Sequence, residues 1–361
     1  MDQAAKIIAT GQADLVGMVR AHLADPFLVK KAQAGDVDDI RECVNANQGC
    51  LSRLFKGRAI TCTVNPASGR EAEWGHGTLE DASAPRKIVV VGAGPAGLKA
   101  AEVAAQRGHQ VVVFEREDEI GGNVRYAARL PRRLRWSLVA KRFDHSLRAA
   151  GVDVRLGVEA TPDLVLSEAP DAVVVATGST FDTDGFSSAL GFRPGIPGLE
   201  TTIVLTPIEA ITDIERCGDR VVIVDESEEY TGLGLAEMLA EAGKKVEIVS
   251  RHLAVGANLV TTADLGHIYP RVTGLGVTIT AQHIVADISG GEAVVANMWG
   301  AGEHRTELDS IVLNMSRSPR RELFDGLRDR FDGELHRIGD CLSPRHVDEA
   351  VYEGEKLGRA L

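Results

Sequence analysis

Three of the five cysteines sit within twenty residues, at Cys43, Cys50 and Cys62 of CVNANQGCLSRLFKGRAITC. Thiolates gathered in a segment rich in Asn, Gln and Gly suit an iron–sulfur cluster, whose usual complement is four cysteines. Three are present here. Cys217 and Cys341 lie in other segments, and Cys341 reads as a small buried side chain. An odd cysteine count in a chain of 361 residues does not describe a disulfide framework, so a reducing compartment and a cytoplasmic protein are expected.

A second constellation lies in RKIVVVGAGPAGLKAAEVAAQRGHQVVVFERE: an apolar strand, a glycine turn, an Ala-rich helix closed by Gly108, and a second strand ending in Glu115. Gly92, Gly94 and Gly97 make G-x-G-x-x-G after a strand and at the opening of a helix that carries Pro95 and Ala96. Such glycines permit the tight turn, let backbone approach a pyrophosphate and let helix pack on strand, while the helix N-terminus favours negative charge. Glu115, 18 residues beyond Gly97 and followed by Arg116, is placed for the ribose hydroxyls of an adenosine. Further candidates are Gly121, Gly122, Asn123 and Arg125 in DEIGGNVRYAARLP, Ala176-Thr177-Gly178 closing DAVVVATGS, and Gly339-Asp340 before the last helix. This order of motifs resembles FAD-binding domains of the glutathione-reductase type, where such a Gly-Asp meets the ribityl chain. The expected ligand is FAD, or ADP in its place.

The elements around these residues predict an α/β chain. DRVVIVDESEEYTGLGLAEMLAEAGKKVEIVSR repeats the strand–turn–helix–strand pattern, but Asp225, Glu226, Glu228 and Glu229 stand where a glycine nest should cradle phosphates. Carboxylates facing a pyrophosphate would repel it, so this unit reads as an NAD(P)-type domain that has lost its ligand. At the start, AAKIIATGQ predicts a helix, ADLVGMV a buried strand and PFLVKKAQAG a second helix between Pro26 and Gly35. A lone strand must join a sheet supplied by something else. The expected organisation is a βα unit over 1–35, a cysteine segment and linker over 36–85, a nucleotide-binding domain over 86–180 and 317–361, and an inserted domain over 181–316. A net charge of -12 argues against a nucleic-acid partner, and no apolar run is long enough to predict a membrane span.

With these residues in view, the chain resembles the C-terminal half of the family of trimethylamine dehydrogenase and 2,4-dienoyl-CoA reductase, and most closely its amine dehydrogenase branch. That family joins an FMN-binding (β/α)8 barrel, a [4Fe-4S] segment and two nucleotide-binding-type domains. The resemblance implies two Rossmann-like domains here, preceded by the last βα unit of a barrel. It implies that Gly17, Met18 and Arg20 match positions holding the FMN phosphate. It implies that Cys43, Cys50 and Cys62 hold a 4Fe-4S or 3Fe-4S cluster, with Ala46 where the family's second cysteine belongs and Asn45 or Asn47 available to an open iron.

The activity implied is that of an electron-transfer subunit in a heteromeric oxidoreductase acting on a small amine, with FMN and substrate on a partner barrel subunit and an electron-transfer flavoprotein as acceptor. Catalytic residues would lie on the partner. Two alternatives are an NAD(P)H-dependent enoyl reductase subunit and a non-catalytic ADP-binding scaffold. The cluster Arg129, Arg132, Arg133, Arg135 reads as a docking patch or a solvated face, and Trp136 or Phe143 as an exit surface or core.

Overall fold

Runs of buried β-branched residues build two five-stranded parallel sheets in the computed structural model, which describes residues 2–187, 190 and 193–361. In spatial order the first sheet contains Glu334–Arg337, Ala172–Val175, Lys87–Val91, Gln110–Phe114 and Asp153–Arg155. Its central strands are covered on both faces, which is why KIVVV and AVVV read as continuous apolar runs rather than alternating ones. The second sheet contains Ile203–Leu205, Ser310–Asn314, Arg220–Asp225, Lys245–Ser250 and Thr278–Ala281. A three-stranded antiparallel sheet, His283–Ser289, Glu292–Asn297 and Glu303–Glu307, packs beside it. The chain passes between the two parallel sheets through a pair of short antiparallel strands, Ser179–Phe181 and Arg317–Pro319.

The helix Pro95–Gln106 lies between the first sheet and the C-terminal helix Val347–Ala360. The two helices approach so closely that a Cβ at Gly354 would stand 2.4 Å from the Ala96 carbonyl oxygen. Charge is also buried between them. Lys99 pairs with Glu102 at 2.5 Å and with Glu355 at 3.6 Å, and Arg142 reaches Glu102 at 3.9 Å. Burial alone would raise the Glu102 carboxyl, but Lys99 and Arg142 outweigh it and hold the group down to about 2.

At the start of the chain the helices Asp2–Ala9, Val19–Ala24 and Leu28–Ala34 form, the last closed by Gly35 at φ 85°. The strand expected from ADLVGMV does not. Leu15 and Val19 are 88% and 75% exposed, because a single parallel strand has no ladder to join among the described residues. Among those residues no helix is long and apolar enough to cross a membrane.

Removing Lys99 would strand a buried carboxylate, so Lys99→Ala should cost about 3–5 kcal/mol in urea unfolding, whereas Lys99→Met with Glu102→Leu should cost far less. Because the Glu102 carboxyl is depressed, its contribution is complete above the ordinary carboxylate range. It should fade as the pH falls from 4.5 towards about 2, and that acid-side loss should be absent from the double variant's melting profile.

Candidate functional site

Three backbone segments meet at the glycine turn with no side chain between them. Gly92 has φ 105°, and a Cβ on it would lie 2.3 Å from the Ala176 carbonyl oxygen. A Cβ on Gly97 would lie 2.0 Å from the Gly92 carbonyl oxygen, so only glycine lets the helix Pro95–Gln106 start this close to the strand end. Gly121 closes the far side by donating its N–H to the Ala93 carbonyl at 2.7 Å, and Gly122 passes close to Gly94. Glu115 is more committed than its spacing implies. Its carboxylate accepts from the Ala93 N–H at 2.7 Å and the Glu117 N–H at 3.0 Å, bracing the turn as well as standing where a ribose is expected.

These residues open onto a cavity of about 970 Å³. Gly92, Gly94, Pro95, Ala96, Glu115, Arg116, Gly122, Asn123, Arg125, Ala176, Thr177, Gly178, Gly339 and Asp340 line it, while Gly97 and Gly121 shape it from behind. Its volume lies at the upper end for small-molecule sites, and a helix N-terminus at its wall favours an anionic ligand. Asp340 accepts from Arg317 at 2.6 Å, from the Ser179 hydroxyl at 3.1 Å and from the Arg345 N–H at 3.0 Å. A glycine turn with open space beside Gly94, a helix N-terminus and this size fit the diphosphate and nucleoside of FAD or ADP.

The cysteine segment folds against the same cavity. Asn45 and Asn47 take left-handed conformations, both at φ 57°, and the Thr61 N–H donates to the Gly49 carbonyl at 2.7 Å. Burial, with smaller contributions from Cys43 and Cys50, pushes the Cys62 thiol up to about 11. All three cysteines of the segment are free thiols. Ala46 is buried beside Trp136 and lines the cavity, which leaves an apolar wall at the position of a fourth. Asn47 is not available to an iron, since its Oδ1 accepts from Arg20 at 3.2 Å and its Nδ2 donates to the Thr262 carbonyl at 2.7 Å. Among the described residues no three His, Cys, Asp or Glu side chains converge as ligands of a single metal ion. Gly17, Met18 and Arg20 lie on the largely exposed segment before and within the helix Val19–Ala24 and do not line the cavity.

The acidic turn of the second unit differs from its sequence reading. Its carboxylates are paired rather than aimed at a ligand: Glu226 with Arg251 at 3.0 Å, Glu228 with His252 at 3.2 Å and Glu229 with His346 at 2.8 Å. Asp225 is fully buried, accepts from Ser227 and Asn314, and is pushed up to about 7 by burial. Its carboxyl lies against Gly232, at the N-terminal turn of the helix Tyr230–Glu241, while Ser227, Glu229 and Thr231 of the same turn line the cavity.

The arginine cluster is also internal in part. Arg133 is buried, pairs with Asp264 at 2.8 Å and stacks on the Tyr230 ring at 3.6 Å. Arg135 donates to the Cys43 carbonyl at 3.0 and 2.9 Å. Arg129 lies over Tyr126, and only Arg132 is left with a distant partner, Glu241 at 3.9 Å. Trp136 and Phe143 are core residues; the indole N–H of Trp136 is buried without an acceptor. Sequence reasoning passed over His346, Gln48 and Arg320, which all line the cavity. Only Arg320 had a signal, as one of three arginines in SRSPRREL beside the return strand.

Residues 86–354 match the family model described as pyridine nucleotide-disulphide oxidoreductase. The chain is 30% identical to an N,N-dimethylglycine/sarcosine dehydrogenase of Chromohalobacter salexigens over 99% of its own length and 55% of that protein. Histamine dehydrogenase from Rhizobium sp. 4-9 superposes with a TM-score of 0.93 at 28% identity, covering 100% of this chain and 57% of that one. A 2-naphthoyl-CoA reductase superposes with a TM-score of 0.89 at 29% identity, covering 100% and 52%. The chain thus spans about half the length of these relatives and corresponds to their C-terminal half.

Gly97→Ala should push the opening of the helix off the turn and weaken ADP binding at least about ten-fold in calorimetry. Gly108→Ala, at φ 93° but with nothing within 4 Å, should lower the melting temperature slightly and leave affinity unchanged.

Proposed function

The chain belongs to the pyridine nucleotide-disulphide oxidoreductase family, and on that premise we propose that it is the nucleotide-binding, electron-transfer part of a flavin–iron–sulfur oxidoreductase acting on a small amine. In this reading FAD, or ADP in its place, occupies the cavity, and Cys43, Cys50 and Cys62 hold a cluster. A companion barrel carries FMN and substrate, with Arg20 at the junction, and an electron-transfer flavoprotein is the acceptor. The observation that carries the reading is the shared wall: the glycine turn lines the cavity together with Ala46 and Gln48 of the cysteine segment.

When bound, the flavins exchange hydride and electrons with substrate and the cluster passes electrons singly, chemistry that belongs to the cofactors. This chain's residues supply the rest. Gly92, Gly94 and Gly97 clear space for a diphosphate beside the helix N-terminus. Arg135 grips the Cys43 carbonyl, Asn47 bonds Thr262, and the Ser52 hydroxyl meets that of Thr261 at 2.8 Å. These contacts hold the cysteine segment rigidly against both nucleotide-type units. Trp136 packs in one apolar cluster with Val44 and Ala46 and lines the cavity beside the segment.

The carboxylates that follow the strand at Asp225, in place of a glycine nest, support electron flow away from substrate rather than from NADPH. An enoyl-reductase subunit would need a turn that accepts phosphates.

Protein purified anaerobically should show flavin or ADP released on denaturation and iron near the stoichiometry of one cluster, and NADPH should fail to bleach any flavin. A colourless, iron-free protein with bound ADP would favour the scaffold alternative, and rapid bleaching by NADPH would favour the reductase. Ala46→Cys should add the missing thiolate and slow the loss of iron to a chelator, which Ala46→Ser should not do.

A further inference from the structure

Six arginines line the cavity, and five of them have carboxylate partners. Arg125 meets Glu117 and Glu119, Arg133 meets Asp264, Arg317 meets Asp340, Arg345 meets Glu353, and the exposed Arg116 leans on its neighbour Glu117 at 3.3 Å. Arg320 differs. Among the described residues no carboxylate stands within 4.0 Å of its guanidinium, and the group donates no hydrogen bond. It is half-buried all the same, so it bears part of the cost of leaving water without a direct partner among the described residues. Burial and the like charge of Arg116 both push it below its ordinary value.

The backbone of Arg320 is held on three sides. Its N–H donates to the Gly178 carbonyl at 3.0 Å, and its carbonyl accepts from the Thr177 hydroxyl at 2.7 Å and from the Cys341 thiol at 3.0 Å. The fixed backbone sets where the Arg320 side chain enters the cavity, and its planar guanidinium offers an anion several donors in one plane. Its place in the cavity narrows the choice of anion. Its backbone is tied to Thr177 and Gly178, which line the cavity together with Arg116 and with Glu115, whose carboxylate bonds the Ala93 N–H of the glycine turn. Arg320 therefore belongs to the lining shared by the expected ribose site and the turn.

We infer that Arg320, with Arg116 nearby, binds the phosphate attached directly to the adenosine, and so sets both the affinity for an adenine nucleotide and its register along the cavity. This rests on the reading that the cavity holds FAD or ADP. It adds a determinant from the return strand between the two units, outside the glycine-turn motif, and makes the junction between the units part of the nucleotide site.

Calorimetry of the full chain, stripped of nucleotide and titrated with ADP, AMP and adenosine, tests it. Arg320→Gln and Arg320→Ala should lose about ten- to a hundred-fold in affinity for both ADP and AMP, the range for a charge-assisted hydrogen bond. Adenosine affinity should stay within two-fold of wild type, and Arg320→Lys should fall between. Melting temperatures within a few degrees of wild type are expected, since the Arg320 side chain makes no hydrogen bond or ion pair among the described residues and its bonded contacts are made by the backbone. Wild-type affinity for ADP in Arg320→Gln would overturn the inference and leave the nucleotide reading intact, as would an equal loss for adenosine. Failure of the wild-type chain to bind any of the three would overturn the nucleotide reading itself.

Discussion

Backbone contact without side chains, at Gly92 and Gly97, is the constraint on which the rest of this structure hangs. With 2.0 Å between the place of a Gly97 Cβ and the Gly92 carbonyl oxygen, the helix Pro95–Gln106 can begin only where it does. Its seat then fixes the C-terminal helix, through the close approach at Gly354, and the buried Lys99–Glu102–Glu355 cluster between them. A helix N-terminus aimed into an open cavity is the consequence, and it favours an anion there.

The second unit keeps the same strand–turn–helix plan with a turn of different chemistry. The Asp225 carboxyl lies against Gly232, and the three glutamates beyond it bond to groups on neighbouring elements, one of them to His346 of the first unit. Where the first unit presents glycines, the second presents carboxylates that already have partners within the protein. Glu229 on His346, together with Arg133 on Tyr230 and Asn47 on Thr262, binds this unit to the first and to the cysteine segment. Residues that read as surface charge thus serve as internal ties.

Legibility in the sequence followed the range of the forces involved. The parallel strands were readable because burial on both faces demands unbroken valine runs, and the glycine turn because its steric requirement falls on residues only a few positions apart. The strand expected at ADLVGMV failed for the complementary reason: local pattern proposes a strand, but ladder partners decide it, and none is present among the described residues. The arginine cluster misled because partners such as Asp264, Tyr230 and the Cys43 carbonyl are remote in sequence.

The sequence by itself determined the α/β class, the glycine turn with its acidic companion Glu115, the three-cysteine segment lacking a fourth thiol at Ala46, and the likeness to amine dehydrogenases. These rest on spacing over short stretches, where covalent geometry carries the information. Only the tertiary structure decided that the cysteine segment and the glycine turn share one cavity, that the carboxylates of the acidic turn have partners, and that Arg320 stands at the cavity wall with no ion-pair partner among the described residues. Each of those depends on which remote groups meet after folding. The pairing or isolation of a charge is a property of its neighbours in space, which the order of residues along the chain does not display.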